Sequence, residues 1–198
     1  MKLQFKTFVQ LGAPEQDAFV ERNGGPSGQV WRVDPADIKG AAVLGKRVYG
    51  TARAVSHDPM KINPDPLGPF PRGADLGFTL QQWLMAKGTG TYSVRGDRAV
   101  ITASLRGLIP NGLYTMWCVP VPMRPPGPLA CGALDGSENT FKADRSGAAE
   151  VTITTRPLPE GAVIAPAYHS DGKTYGAKPG DFGMNTHVQL VVFLPASL

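Results

Sequence analysis

Apolar and polar positions alternate with a period of two along much of the chain. Leu3, Phe5, Thr7 and Val9 alternate with Lys2, Gln4 and Lys6, the pattern of a strand with one buried face. Residues 29–33, holding Val30, Trp31 and Val33, form a short β-prone run, and residues 42–56 read as a long strand with Gly45 and Gly50 at bulges or close backbone approaches. Residues 91–95 and 98–105 flank the turn Gly96-Asp97 and predict a hairpin, since Ala99, Ile101, Ala103 and Leu105 alternate with Val100, Thr102 and Ser104. Residues 113–119 carry large apolar side chains on both parities, as a strand covered on both faces requires. Residues 141–143 and 148–155 around the turn 144–147 predict a further hairpin, and residues 162–169 and 187–194 predict two closing strands.

Only one segment has helical spacing. In residues 78–88 Leu80, Trp83 and Leu84 share a face, and Gly88 stands where a C-terminal cap belongs. Pro59, Pro64, Pro66, Pro69 and Pro71 make residues 57–76 a long ordered loop, and residues 120–128 are a second proline-rich excursion. The pattern predicts an all-β fold, an antiparallel β-sandwich or barrel with one short helix and long Pro/Gly-rich loops. Residues 1–198 read as a single domain, the alternative being an N-terminal arm of residues 1–76 packed on a core of 77–198.

Composition narrows the class. The 24 glycines and 19 prolines are roughly twice the usual combined share, whereas 42% hydrophobic and 18% charged residues exclude wholesale disorder and a charged coiled coil. The net charge of +4 is spread without a basic run, which argues against nucleic acid and anionic membrane as partners. No apolar run reaches the length of a membrane span, and Lys2, Gln4, Lys6 and Gln10 exclude a signal-peptide core in the first ten residues. Cys118 and Cys131 are the only cysteines and bracket the second proline-rich excursion. A bond between them would close a loop worth about 3 kcal/mol and implies a secreted or periplasmic protein in its mature form. The alternative is a pair of buried thiols in a cytoplasmic protein.

The chain has no HExxH, Walker loop, GxSxG or CxxC motif. It has three histidines, His57, His169 and His187, each at a junction between a strand and a long loop. Pairing of the two closing strands would bring His169 and His187 to one end of a sheet, near enough to share a first-row metal ion. His57, with Asp58 and Met60 beside it, would complete a three-histidine copper or zinc centre. The intervening loop supplies Asp171, Tyr175, Asp181 and Met184 as further ligands. A metal-free alternative uses His169 or His187 as a base, Asp171 or Asp181 to orient it, and Tyr168 or Tyr175 to polarise a substrate oxygen. A third reading is a non-enzymatic extracellular binding or structural module that takes a small molecule or surface ligand on its Pro/Gly-rich loops.

The segments LIPNGLYTMW, LDGSENTFKADRSGAAEV and AYHSDGKTYGAKPGDFGMNTHVQLVVFLP resemble those of uncharacterised bacterial β-rich proteins over about residues 88–195. No activity comes with that resemblance. It implies that AYHSDGKTYG and THVQL are recurring elements and favours the His169/His187 end as the functional one.

Overall fold

The period-two segments fold as strands, and the turns between them sort those strands into two packed sheets and a small barrel. The computed structural model describes residues 1–38, 40–57, 66–120 and 127–195. In chain order the elements are β1 (Lys2–Lys6), β2 (Phe19–Val20), β3 (Gln29–Arg32), α1 (Ala41–Leu44), β4 (Arg47–Thr51), β5 (Phe70–Thr79), α2 (Leu80–Leu84), β6 (Lys87–Arg95), β7 (Arg98–Arg106), β8 (Leu113–Val119), β9 (Leu129–Ala130), β10 (Thr140–Lys142), β11 (Ala149–Thr155), β12 (Val163–His169), β13 (Thr186–Val188) and β14 (Val192–Phe193). Every pairing between these strands is antiparallel.

The first sheet runs β1-β6-β7-β11, and the second runs β10-β8-β12-β13 with β9 on β8 and β14 on β12. Their facing sides interdigitate: Leu3, Phe5, Ile101, Leu105, Val151 and Ile153 from the first sheet join Tyr114, Met116, Cys118 and Ile164 from the second in one core. The far side of the second sheet is also covered, because Trp117, Val119, Val163, Ala165 and Val188 pack with Phe8 and Ala13. β8 is therefore buried on both faces, as its unbroken apolar sequence requires. Strands β2, β3, β5 and β4 close the small barrel. β1 belongs to the first sheet, so the first 76 residues are shared between sandwich and barrel.

The first proline-rich loop is shorter than expected, because residues 70–76 belong to β5, and five further local expectations are corrected. Residues 42–56 are not one strand: α1 precedes β4, and the β4–β5 register shifts on both sides of Tyr49. The bend brings Gly50 against Gly183, where a Cβ would lie 3.0 Å from the Gly183 carbonyl oxygen. The helix α2 has a capping box between Thr79 and Gln82 but ends at Met85. Gly88 instead lies inside β6, where a Cβ would strike Leu105 Cδ2 at 2.4 Å. With α1 the structure has two short α-helices among the described residues.

The segments around residues 144–147 form no hairpin. β10 pairs with β8 and β11 with β7, so the Asp144 turn carries the chain from one sheet to the other. Its carboxylate accepts the Ser146 and Ala148 N–H groups, which satisfies the turn locally. The last segment splits into β13 and β14 opposite Pro166, which has no N–H for the ladder. Gln189 and Leu190 bulge there and both donate to the Pro166 carbonyl. Cys118 and Cys131 are bonded and staple β8 to the segment after β9. No helix of the described residues is long and apolar enough to cross a membrane.

Candidate functional site

The described histidines are drawn into three separate environments. In the β12–β13 ladder His187 stands opposite Tyr168, and His169 stands opposite Thr186. Adjacent positions on a strand point to opposite faces, so this one-residue offset puts the two imidazoles on opposite sides of the second sheet. His187 is fully buried; its Nδ1 donates to the Asp17 carbonyl at 2.9 Å. That bond fixes the tautomer and leaves Nε2 to accept from the Ser170 hydroxyl at 3.0 Å. Burial lowers its pKa and outweighs the opposing pull of Asp17, so the ring is neutral at neutral pH.

His169 shares the other face with Thr115 and Trp117. Its Nε2 lies 2.7 Å from Thr115 Oγ1, which also accepts from Trp117 Nε1 at 2.7 Å. Its Nδ1 is buried without a partner among the described residues. Burial pushes its pKa down to about 4, with the Asp171 charge opposing and His187 adding to the fall. The loop after β12 does close over this end, since the Tyr175 ring sits 6.1 Å from that of His169.

Asp171 and Tyr175 lie exposed in that loop and pair with each other. Asp171 also accepts the Lys173 N–H at 3.1 Å, a turn of the Asx type. The hydrogen bond it donates to Asp171 pushes the Tyr175 pKa up to about 12, which makes it a turn brace with a weakly acidic hydroxyl. Asp181 is exposed as well; its main-chain carbonyl takes the N–H groups of Met184, Asn185 and Thr186 and so closes a second turn. Neither aspartate contacts an imidazole through a described hydrogen bond.

His57 lies elsewhere and has a different partner. Its ring stacks on Phe182 with centroids 4.3 Å apart, and Phe8 meets it edge-on at 6.4 Å. Nδ1 sits 2.7 Å from Oδ2 of Asp17, and both side chains are almost wholly buried. The contact lies off the N–H axis, so Nδ1 has no aligned acceptor, and Asp17 Oδ1 has no partner among the described residues. Asp17 Oδ2 also accepts the Val188 N–H at 3.0 Å, which ties the pair to β13. Asp58 and Met60 fall outside the described residues.

Arg32 holds His57 in place from β3. Its guanidinium donates to the carbonyls of Gln16, Ser56 and Pro66 at 2.6–2.8 Å, clamping both shoulders of the first proline-rich loop. The same group lies over the Phe19 and Phe70 rings. Thr51 N and Val55 N donate to the carbonyls of Gly183 and Phe182, so the segment leading to His57 is laced to the loop before β13.

Beside His57 the second sheet leaves a small cavity of about 100 Å³, walled by Trp117, Val119, Ala165, Phe182 and Val188. Gly127 and Pro128 also line it, and among the described residues His57 is its only titratable side chain. Glu15, two residues before Asp17, is also buried; its Oε1 accepts Val9 N–H at 2.9 Å and its Oε2 accepts Trp83 Nε1 at 3.1 Å. Burial, aided by the Asp17 charge, raises its pKa to about 7 despite those donors.

Among the described residues no three His, Cys, Asp or Glu side chains gather as a metal-binding group. The copper or zinc centre expected at His57, His169 and His187 therefore finds no ligand set there. Sequence reading passed over Asp17, Glu15 and Arg32. The octet APEQDAFV, residues 13–20, is buried along its whole length, and two carboxylates inside an apolar-flanked run are its only outward sign. No protein-family model and no curated protein matches the chain.

Proposed function

We propose that the protein takes a small, largely apolar molecule into the cavity beside His57, and that His57 moves a proton on it. The observation that carries this reading is a single imidazole on an apolar wall, backed at 2.7 Å by the buried Asp17 carboxylate. A neutral His57 accepts a proton, and the neighbouring negative charge stabilises the imidazolium that results. Asp17 Oδ1, which has no partner among the described residues, supports the same reading, since a half-satisfied buried carboxylate is a cost that packing alone does not call for. A 150 Å³ apolar cavity holds benzene, so a space of this size suits about four or five non-hydrogen atoms. The Cys118–Cys131 bond supports an oxidising, extracellular or periplasmic setting for this activity.

Deuterium uptake from D₂O into acetone, hydroxyacetone and butanone tests the reading, because each fits the cavity and carries a proton that a base removes from carbon. In that step the C–H bond breaks, its electron pair becomes the enolate, and solvent deuterium is returned. The expected result is exchange faster than buffer, lost in His57→Gln and lowered at least tenfold in Asp17→Asn, with the Ala165 and Val188 methyl resonances shifted by the ketones. Equal exchange in wild type and His57→Gln, with no methyl shifts, would overturn it.

A further inference from the structure

Away from the histidines, the outward face of the first sheet arranges its side chains in rows. Register sets Lys6, Lys87 and Arg106 abreast at one end, and Arg95 opposite Arg98 at the other. Hydroxyls fill the space between, with Thr91, Thr102 and Thr152 in one row and Thr89 and Ser104 in the next. An open trough of about 490 Å³ follows these middle rows. A second of about 410 Å³ continues it over Lys87 and Arg106, and the two share Gln4, Thr89 and Ser104.

This arrangement works against sheet stability. Like charges directly opposite on paired strands are destabilising, yet Lys6 faces Lys87 and Arg95 faces Arg98. Glu150, which pairs with Arg106 at 2.8 Å, is the one acid among the outward strand positions. With Lys2 the face holds six basic side chains against that one acid, an excess of five on a chain whose net charge is +4. Positive charge is therefore gathered here and absent in net from the rest of the chain.

The chemistry of the face selects among anionic partners. β6 is 9 residues long, which puts the two basic rows about 26 Å apart, a span for an extended polymer rather than a small anion. The outward strand positions carry no aromatic ring, Tyr92 being turned into the core, so bases have no platform to stack on. Serine and threonine hydroxyls, which both donate and accept, match the hydroxyls of sugars. We infer that this face binds an acidic polysaccharide, a polymer of sugars bearing carboxylate or sulfate groups, laid in the trough over the Lys6–Lys87–Arg106 row and the hydroxyls, and continuing past the trough's end to Arg95 and Arg98.

Binding of the full chain to polygalacturonate and to heparin tests the inference, with neutral dextran, an oligothymidylate and phosphatidylglycerol vesicles as comparisons. At least one acidic glycan should bind at 50 mM salt and dextran should not. The pair Lys6→Gln/Lys87→Gln and the pair Arg95→Gln/Arg98→Gln should each weaken binding about tenfold or more, and both remove like-charge contacts, so the sheet survives them. Thr91→Val with Thr102→Val should weaken it about threefold to tenfold, which separates sugar recognition from plain ion exchange. The inference is overturned if neither glycan binds, if the oligonucleotide or the vesicles bind more tightly than both, or if the threonine pair changes nothing.

Discussion

Asp17 touches His57 through its side chain, Oδ2 to Nδ1 at 2.7 Å, and the same oxygen receives the Val188 N–H at 3.0 Å. The carboxylate thus joins a loop-borne imidazole to a sheet edge inside the protein. Removing it strands the buried Val188 N–H and takes away the polar group that faces the buried imidazole, so Asp17→Ala should cost about 3 kcal/mol of stability. Asp17→Asn keeps an acceptor for Val188 and should cost about 1 kcal/mol. Urea unfolding of the two variants measures the difference, and equal losses would mean that the acceptor kept for the Val188 N–H contributes nothing.

Glu15 makes stability depend on pH in an unusual direction. Its folded pKa of about 7 lies above the ordinary 4.5, so below pH 4.5 the carboxyl is protonated in both states and the folded one is favoured. Between pH 4.5 and 7 the unfolded chain has lost the proton that the folded chain retains, and about 3 kcal/mol is given up as pH rises. His169 works the other way: with a folded pKa near 4 against 6.5 unfolded, its contribution is present above pH 6.5 and lost as pH falls toward 4. His187, also lowered, adds to that loss. Wild type minus Glu15→Gln isolates the carboxyl, and the difference in unfolding free energy should fall by about 3 kcal/mol from pH 4.5 to 7.5. A flat difference would show that Glu15 is ionised in both states over that range.

What was legible in the sequence was whatever rests on local periodicity. The β6–β7 hairpin follows from strict alternation around Gly96-Asp97, and the doubly buried β8 from its unbroken apolar run. The Cys118–Cys131 bond was legible as two cysteines bracketing one loop. Partnership between sheets was not, because the Asp144 turn has the same residues whether the chain returns beside itself or crosses the core. Register was not either: His169 and His187 do reach one end of the sheet, but Pro166 and the bulge opposite it set an offset that no residue near the histidines encodes. The candidate site was half legible. His57 stood out as a titratable group at a loop base, whereas burial of Asp17 is a property of the packed molecule.

Arg32 should be the residue on which the position of His57 depends most. A guanidinium forks to three carbonyls from three stretches of chain, and a lysine offers one compact charge that cannot span them. Arg32→Lys leaves at least one buried carbonyl unpaired, and a loss of about 2–3 kcal/mol follows. The His57 ring resonances should shift in this variant while those of His187, held from Asp17 and Ser170, stay in place. Unmoved His57 resonances would mean that the loop is positioned by its contacts to Phe182 and Gly183 alone.

The cavity beside His57 can be tested without touching a polar group. Ala165 points into it from β12, directly across from Trp117 on β8. Ala165→Leu adds three carbons to a space of about 100 Å³, enough to fill most of it without displacing the wall. A cavity that serves only as a packing defect gains from being filled, since lost dispersion contacts are restored. The variant should therefore unfold at an equal or higher urea concentration, while ketone-induced shifts at Val188 and deuterium exchange both vanish. Retained exchange in a stable Ala165→Leu protein would place the substrate somewhere other than this cavity, even if His57 is still the base.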